Sequence, residues 1–349
     1  MSLIIEACDC AGKTTLLGKI LGCALKRLSM NRAIGYGSLE VQHFGRLPET
    51  FDYYLDYLNN IGINTISDRF FFSELVYGPI MRGHVSEKFD WMNQTMVSQE
   101  LLVQGSLVVR CTAPFRVIEE RYAARGDEYI KNLETMKLIV NDFENLDLHS
   151  FVGSNFLNVD TSTPVPDEII ERIVDAWFKN RERALEYRKI GAGWGSLDEG
   201  KVLVIGERPG KDYAFAPQYH CRPFAVPNPI KRNHDVISSS TEWVMRMLRD
   251  SGLKPADYHI TNVYHSSLNE TKLDEEIEFL KPEKIVVMGN IARQVVKDIG
   301  VDKTTTCFFM PHPQYLRRFH QKRYNEFLAH FTNFVKSDFL THAVKEWSV

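Results

Sequence analysis

No run of eighteen apolar residues occurs anywhere in the 349 residues, so no segment has the length and apolarity of a membrane-spanning helix. Internal repeats and low-complexity tracts are also lacking, which leaves no sign of a solenoid or a disordered tail. Cysteine is sparse: six, at positions 8, 10, 23, 111, 221 and 307, without zinc-finger spacing. Cys8 and Cys10 stand where a disulfide would distort the chain, so all six read as reduced thiols, which points to the cytoplasm. The first residues form an apolar strand, Leu3 to Ile5, and not a secretion signal. A large charge of either sign is missing, the net being −3. What remains, 44% apolar and 25% charged residues, describes a globular chain long enough for about two domains.

The segment Glu6-Ala7-Cys8-Asp9-Cys10-Ala11-Gly12-Lys13-Thr14-Thr15 lies between that strand and a helix-like run, Leu16 to Leu28. It keeps the phosphate-loop pattern Gly-x4-Gly-Lys-Ser/Thr except that Ala7 replaces the first glycine, which an ordinary backbone dihedral at Ala7 allows. Backbone N–H groups and a helix N-terminus then converge on one anion. Asp9, Ala11, Gly12, Lys13, Thr14 and Thr15 are expected to hold ATP, with Lys13 at the β- and γ-phosphates and the Thr14 hydroxyl on Mg2+. A Gly-Lys-Thr turn before an ordinary helix is the bland alternative, and the order strand, loop, Lys, Thr argues against it.

Strands alternate with amphipathic helices along the whole chain, so the expected fold class is α/β with parallel sheets covered on both faces. Residues 2–5, 63–67 and 106–111 read as strands of the first half, and 201–206, 258–263, 284–288 and 305–309 as those of the second. Between them, Lys179 to Lys189 is charged and helix-like, and Gly191, Gly193, Gly195 and Gly200 then break any regular element. This places a first domain at 1–178, a linker at 179–197 and a second domain at 198–349. Residues 1–197 hold 21 Lys and Arg against 26 Asp and Glu, a balance of −5. Residues 198–349 hold 21 against 19, a balance of +2. The late basic run Arg317, Arg318, Lys322 and Arg323 reads either as a solvated helix face or as a phosphate-contacting patch.

In the first half, the strand ending at Ser67 runs into Asp68-Arg69-Phe70-Phe71-Phe72-Ser73-Glu74-Leu75-Val76-Tyr77-Gly78. A strand-terminal Asp68 suits Mg2+ or an attacking oxygen, and Arg69 suits a second phosphate. Of the Phe triplet, Phe70 and Phe72 are the candidates for stacking on a base, the remainder being core. With the Arg-bearing stretch Arg116, Arg121 and Arg125 ahead of Gly126, these motifs make residues 1–178 resemble thymidylate kinase, most nearly the divergent deoxynucleoside monophosphate kinases of bacterial viruses. The resemblance implies a lid in which Arg116 binds ATP and Arg121 and Arg125 stabilise the transferred phosphoryl group. Tyr77 then belongs to the base pocket, and Arg46 stands about where a substrate-phosphate Arg would come. Gly78 and Pro79 replace a base-contacting polar residue, so the pyrimidine need not be thymine. Thymidylate kinases pair as dimers, so a homodimer is implied, in the host cytoplasm if the chain is viral.

In the second half, four segments follow in order: Gly206-Glu207-Arg208-Pro209-Gly210, Arg222-Pro223-Phe224, a strand ending in Asn262, and Pro311-His312-Pro313-Gln314-Tyr315-Leu316-Arg317-Arg318. Each alone is weak. Together they resemble the uracil-DNA glycosylase superfamily over about 198–335, with an α/β/α sandwich. Phe224 can stack on a base removed from the helix, the Asn262 amide can pair its edge, and His312 can hold the oxygen that gains charge. Glu207 can orient water or stabilise the sugar cation. Leu316 is expected to wedge into DNA while Arg317 and Arg318 hold phosphates. Related proteins carry an iron–sulfur cluster on four cysteines. This half has Cys221 and Cys307, with His265 near one ligand place, so no cluster is expected.

The expected activity is ATP- and Mg2+-dependent phosphorylation of dTMP, dUMP or a 5-substituted dUMP, with a second domain that binds or excises a uracil-type base. The alternative is phosphorylation of 5-hydroxymethyluracil within DNA, the second domain serving as base reader. Uracil- or 5-hydroxymethyluracil-containing DNA is therefore a candidate partner, and no membrane is.

Overall fold

The computed structural model describes residues 2–30, 39–43, 57–58, 64–83, 91–125, 130, 132–191, 193–207, 240–264, 272–337 and 345–346. They form two compact units, Met1–Val97 with Gln104–Arg183 and Ser98–Val103 with Ala184–Val349. No helix among the described residues is long and apolar enough to cross a membrane.

The first unit carries strands β1 (Ser2–Glu6), β2 (Glu40–His43), β3 (Thr65–Asp68), β4 (Leu107–Thr112) and β5 (Phe156–Asp160). Its helices are α1 (Lys13–Met30), α2 (Phe71–Arg82), α3 (Trp91–Val103), α4 (Phe115–Arg125), α5 (Leu133–Asn145), α6 (Leu148–Val152) and α7 (Asp167–Ile190), of which α3 and α7 run on into the second unit. The sheet order is β2-β3-β1-β4-β5 and every pairing is parallel. β1 is buried at all five positions because it is central. The chain departs from it to β2 and β3 on one side and later to β4 and β5 on the other. That reversal opens a crevice at the carboxyl ends of β1, β3 and β4.

Helix α1 faces the sheet with Leu16, Leu17, Ile20 and Ala24, all buried, while Gly18 and Lys19 face solvent. β2 and β5 lie at the two edges, and their patterns explain why they do not announce themselves. Neither Glu40–His43 nor Phe156–Asp160 buries more than one residue fully. Helix α2 runs through Gly78 and Pro79, and Gly83 ends it with an N–H to the Pro79 carbonyl at 2.9 Å. Helix α5 is capped by the Asn132 side chain on Thr135 N at 2.7 Å and buries Met136, Ile139, Val140 and Phe143.

Residues 179–190, placed in the linker by composition, are the continuous end of α7. The second unit then contains β6 (Trp194–Gly195), β7 (Val202–Gly206), α8 (Ser240–Asp250), β8 (Tyr258–Asn262), α9 (Leu273–Leu280), β9 (Lys284–Met288), α10 (Asn290–Asp298), β10 (Thr306–Met310), α11 (Pro313–Phe319), α12 (Tyr324–Lys336) and β11 (Lys345–Glu346). The order is β11-β10-β9-β7-β8-β6, parallel except for β6 against β8. β7, β8 and β9 are buried at every position, as central strands covered on both faces must be. The glycine-rich stretch is held by a buried polar network. The Gly193 N–H reaches the Tyr187 hydroxyl at 2.8 Å, which also bonds Glu276 and lies 2.7 Å from His259 Nε2. Thr261 Oγ1 donates to the other Glu276 oxygen at 2.9 Å, so all these buried groups have partners.

Candidate functional site

The crevice of the first unit is a cavity of about 1080 Å³. The loop after β1 forms its floor. Gly12 has φ +82°, and a Cβ there would stand 3.3 Å from the Thr161 side chain, so both backbone and space call for glycine. Cys10 also adopts a left-handed φ of 62°, whereas Ala7 does not. The missing first glycine therefore costs no strain. Thr14 and Thr15, in the first turn of α1, are exposed towards the cavity.

Asp68 and Arg69 end β3 beside this loop. Both Asp68 oxygens are engaged, one by Lys13 and the other by His43 Nδ1 at 2.9 Å. Burial lowers the Lys13 ammonium to about 8, against the pull of Glu6 and Asp9. Arg69 takes a left-handed φ of 72° and ion-pairs with Asp9. The other Asp9 oxygen accepts from the Tyr77 hydroxyl at 2.7 Å, and the Arg69 guanidinium lies 5.3 Å from the Tyr77 ring centre. Burial raises the Tyr77 hydroxyl far above its usual value, which keeps it a hydrogen-bond donor. Asp9, Arg69 and Tyr77 thus form one bonded group behind the loop.

Glu6, the last residue of β1, is fully buried, and sequence reading passed over it. Its carboxyl accepts from Phe70 N at 2.7 Å and from Ser73 Oγ, capping α2. Burial pushes it up to about 7, with both hydrogen bonds and the charges of Arg69 and Lys13 opposing. The signal was a lone carboxylate closing an apolar strand. His43 and Thr161 were missed for another reason: His43 ends and Thr161 directly follows an edge strand that the sequence pattern hides. Thr161 Oγ1 bonds the carbonyls of Ala11 and Thr112, tying the end of β5 to the loop.

The structure corrects three expectations here. Phe70 and Phe72 are fully buried and do not line the cavity. Phe70 packs 5.9 Å from Tyr57 and Phe72 packs 5.7 Å from Phe151, because α2 turns its first residues inward as soon as β3 ends. Arg116 is 87% exposed and paired with Glu120 at 3.1 Å, away from the cavity. Arg121 and Arg125 do line it. Arg121 spans the Thr161 carbonyl at 2.6 Å and the Cys10 carbonyl at 3.4 Å, so it braces the loop as well as facing the cavity. Arg46 lies outside the described residues.

In the second unit the carboxyl ends of β7, β8, β9 and β10 gather Glu207, Asn262, Gly289 and His312. Glu207 Oε1 accepts from Ile291 N at 3.2 Å, at the start of α10. Gly289 has φ +101°, and a Cβ there would lie 2.3 Å from that same oxygen, so glycine makes room for the carboxylate. Asn262 is 4% exposed, and its Oδ1 has no hydrogen-bond partner among the described residues. His312 Nδ1 accepts from Gln314 N at 3.2 Å, fixing the ring, and burial lowers its affinity for a proton while Glu207 raises it. Residues 192–336 match the Uracil DNA glycosylase superfamily. Within these residues, Leu316 departs from expectation. It is fully buried in the core with Val286, Met310 and Phe331 and is not free to enter DNA. Arg318 is exposed and Arg317 half-buried. Cys307 is buried in β10, and Phe224, Cys221 and His265 lie outside the described residues.

No curated protein matches the chain. Among solved structures, the YorR protein from Bacillus subtilis, in complex with phosphorylated GDP, is 20% identical over 54% of this chain and 98% of that one, with a TM-score of 0.39. Deoxyadenosine kinase from M. mycoides, with the products dcmp and dcdp, is 14% identical over 53% of this chain and 100% of that one, with a TM-score of 0.29. The same enzyme with dATP is 16% identical over 50% and 97%, with a TM-score of 0.28.

Proposed function

We propose that the first unit moves the γ-phosphoryl group of ATP to a pyrimidine deoxynucleotide (dTMP, dUMP or a 5-substituted dUMP) and that the glycosylase-superfamily domain binds or excises a uracil-type base. One observation carries the kinase reading: the loop of Gly12 and Lys13 and the Asp68–Arg69 turn meet at the switch point of a parallel sheet, in one cavity. Backbone N–H groups and the α1 N-terminus cradle the phosphates. Lys13 turns from Asp68 to the β- and γ-phosphates. The acceptor oxygen bonds to the γ-phosphorus as the bond to the bridging oxygen breaks and ADP departs. Mg2+, when bound, neutralises phosphate charge, and the exposed Thr14 hydroxyl with the Asp68 carboxylate released by Lys13 fits it. Arg69, positioned by Asp9, together with Arg121 and Arg125 offers planar donors to the phosphoryl oxygens.

The buried, unpartnered Asn262 Oδ1 supports base recognition in the second unit, since an orphaned acceptor is costly unless a ligand donor meets it. The presence of both domains in one chain motivates a second reading, in which 5-hydroxymethyluracil in DNA is the acceptor and this domain presents it. Labelled γ-phosphate from ATP, offered to dTMP, dUMP, 5-hydroxymethyl-dUMP and an oligonucleotide containing 5-hydroxymethyluracil, separates the two. Label on a mononucleotide supports the first and label only on the oligonucleotide the second. No label on any acceptor removes the kinase reading.

A further inference from the structure

Six large hydrophobic side chains among the described residues are exposed, and three belong to the second unit: Ile291, Tyr315 and Phe319. All three sit on α10 or α11, the helices that leave the carboxyl ends of β9 and β10, the sheet edge that also holds Asn262 and His312. Tyr315 and Phe319 are 44% and 69% exposed, with ring centres 5.3 Å apart, and the His320 ring stands 5.0 Å from Tyr315. Helix α11 is anchored on its other side by buried Pro313 and Leu316. The aromatic pair is therefore held in place by the core yet covered by nothing among the described residues. Isolated exposed apolar residues are ordinary, whereas two rings in contact beside a ligand site make a surface.

The charge around the rings selects the occupant. Residues 313–323 contain four Lys and Arg and no Asp or Glu. Arg323 is taken up by Glu326 at 2.8 Å, which leaves exposed Arg318 and Lys322 beside the rings. A second copy docking through this face would set like charges against each other. A polyanion with flat, unstacked bases fits it. A duplex fits poorly: Leu316 is buried and cannot fill a gap in the stack, and the whole second half has a charge balance of only +2.

We propose that Tyr315 and Phe319, with Arg318 and Lys322, form a stacking face for a single strand of DNA that leads a base to the Asn262 edge; this rests on the reading of 192–336 as a base-binding domain. The test uses the full chain and fluorescence anisotropy with labelled dT and dU 20-mers, single-stranded and as duplexes, at low salt. The expected result is single-strand binding at least tenfold tighter than duplex binding, weakened about tenfold by Phe319→Ala and by Tyr315→Ala and retained in Phe319→Tyr. Both rings are exposed, so thermal stability should not change. Unchanged binding in the double Ala variant overturns the proposal. So does equal affinity for duplex, or a concentration-dependent dimer that Phe319→Ala abolishes. Asn262→Ala that loses a dU-over-dT preference while strand binding persists leaves both readings standing. Absence of any such preference in the unaltered chain removes the base-site reading alone.

Discussion

Glu6 shows how a single residue in this protein ties fold to site. It ends β1 with its carboxyl fully buried and raised to about 7 by that burial, and it caps the helix that starts at Phe71. An acid whose pKa is higher folded than unfolded binds more protons when folded, so stability falls as pH rises from about 4.5 to 7 and stays lower above. Glu6→Gln keeps a cap without the buried charge. It is expected to be near neutral at pH 4.5 and to raise stability by about 1–3 kcal/mol at pH 8. Unfolding curves at the two pH values check this, and a pH-independent difference would assign the effect to something other than the carboxylate. Arg116 gives the contrast. It is paired only with Glu120 on the solvent side, so Arg116→Ala should leave kcat and KM for ATP within about twofold, whereas Arg125→Ala should lower kcat.

At the scale of the element, α11 decides which side chains meet solvent. It begins with Pro313 after His312 and needs an apolar anchor, and Leu316 supplies it by packing against the strands of the second sheet. Leu316→Ala is therefore expected to cost about 2–5 kcal/mol of stability, as truncation in a packed core does. Its effect on DNA affinity should vanish once binding is measured well below the lowered melting temperature. If binding fell while stability held, the leucine would be at the DNA after all. Helix α2 makes the same point for Phe70 and Phe72. The left-handed turn at Arg69 points the guanidinium to Asp9 and sends the following aromatics into the core.

At the scale of the whole molecule, one parallel and one mostly parallel sheet each gather their polar residues at a carboxyl edge, and each has its own hydrophobic core. Chemistry at one edge should not depend on residues at the other. Lys13→Ala is expected to reduce phosphoryl transfer by at least a hundredfold and leave uracil-oligonucleotide binding intact, while Asn262→Ala loses the preference for dU over dT strands and leaves phosphoryl transfer unchanged. Parallel measurement of transfer and binding in both variants checks it, and loss of both functions in either variant would argue against separate sites.

The phosphate loop, the Asp68–Arg69 turn and the ordered Glu207, Asn262 and His312 segments were legible in the sequence. Their chemistry depends on local backbone and strand-end position, which neighbouring residues specify. Central strands β1, β7 and β9 were legible too, because burial on both faces favours near-continuous apolar runs. Edge strands β2 and β5 bury little and left no pattern, so His43 and Thr161 entered the site only with the sheet. Tertiary structure alone sorted the aromatics and arginines, burying Phe70, Phe72 and Leu316 and exposing Tyr315 and Phe319. Which face of a short helix meets the core is set by what the rest of the chain packs against it, and no local pattern of a few residues carries that information.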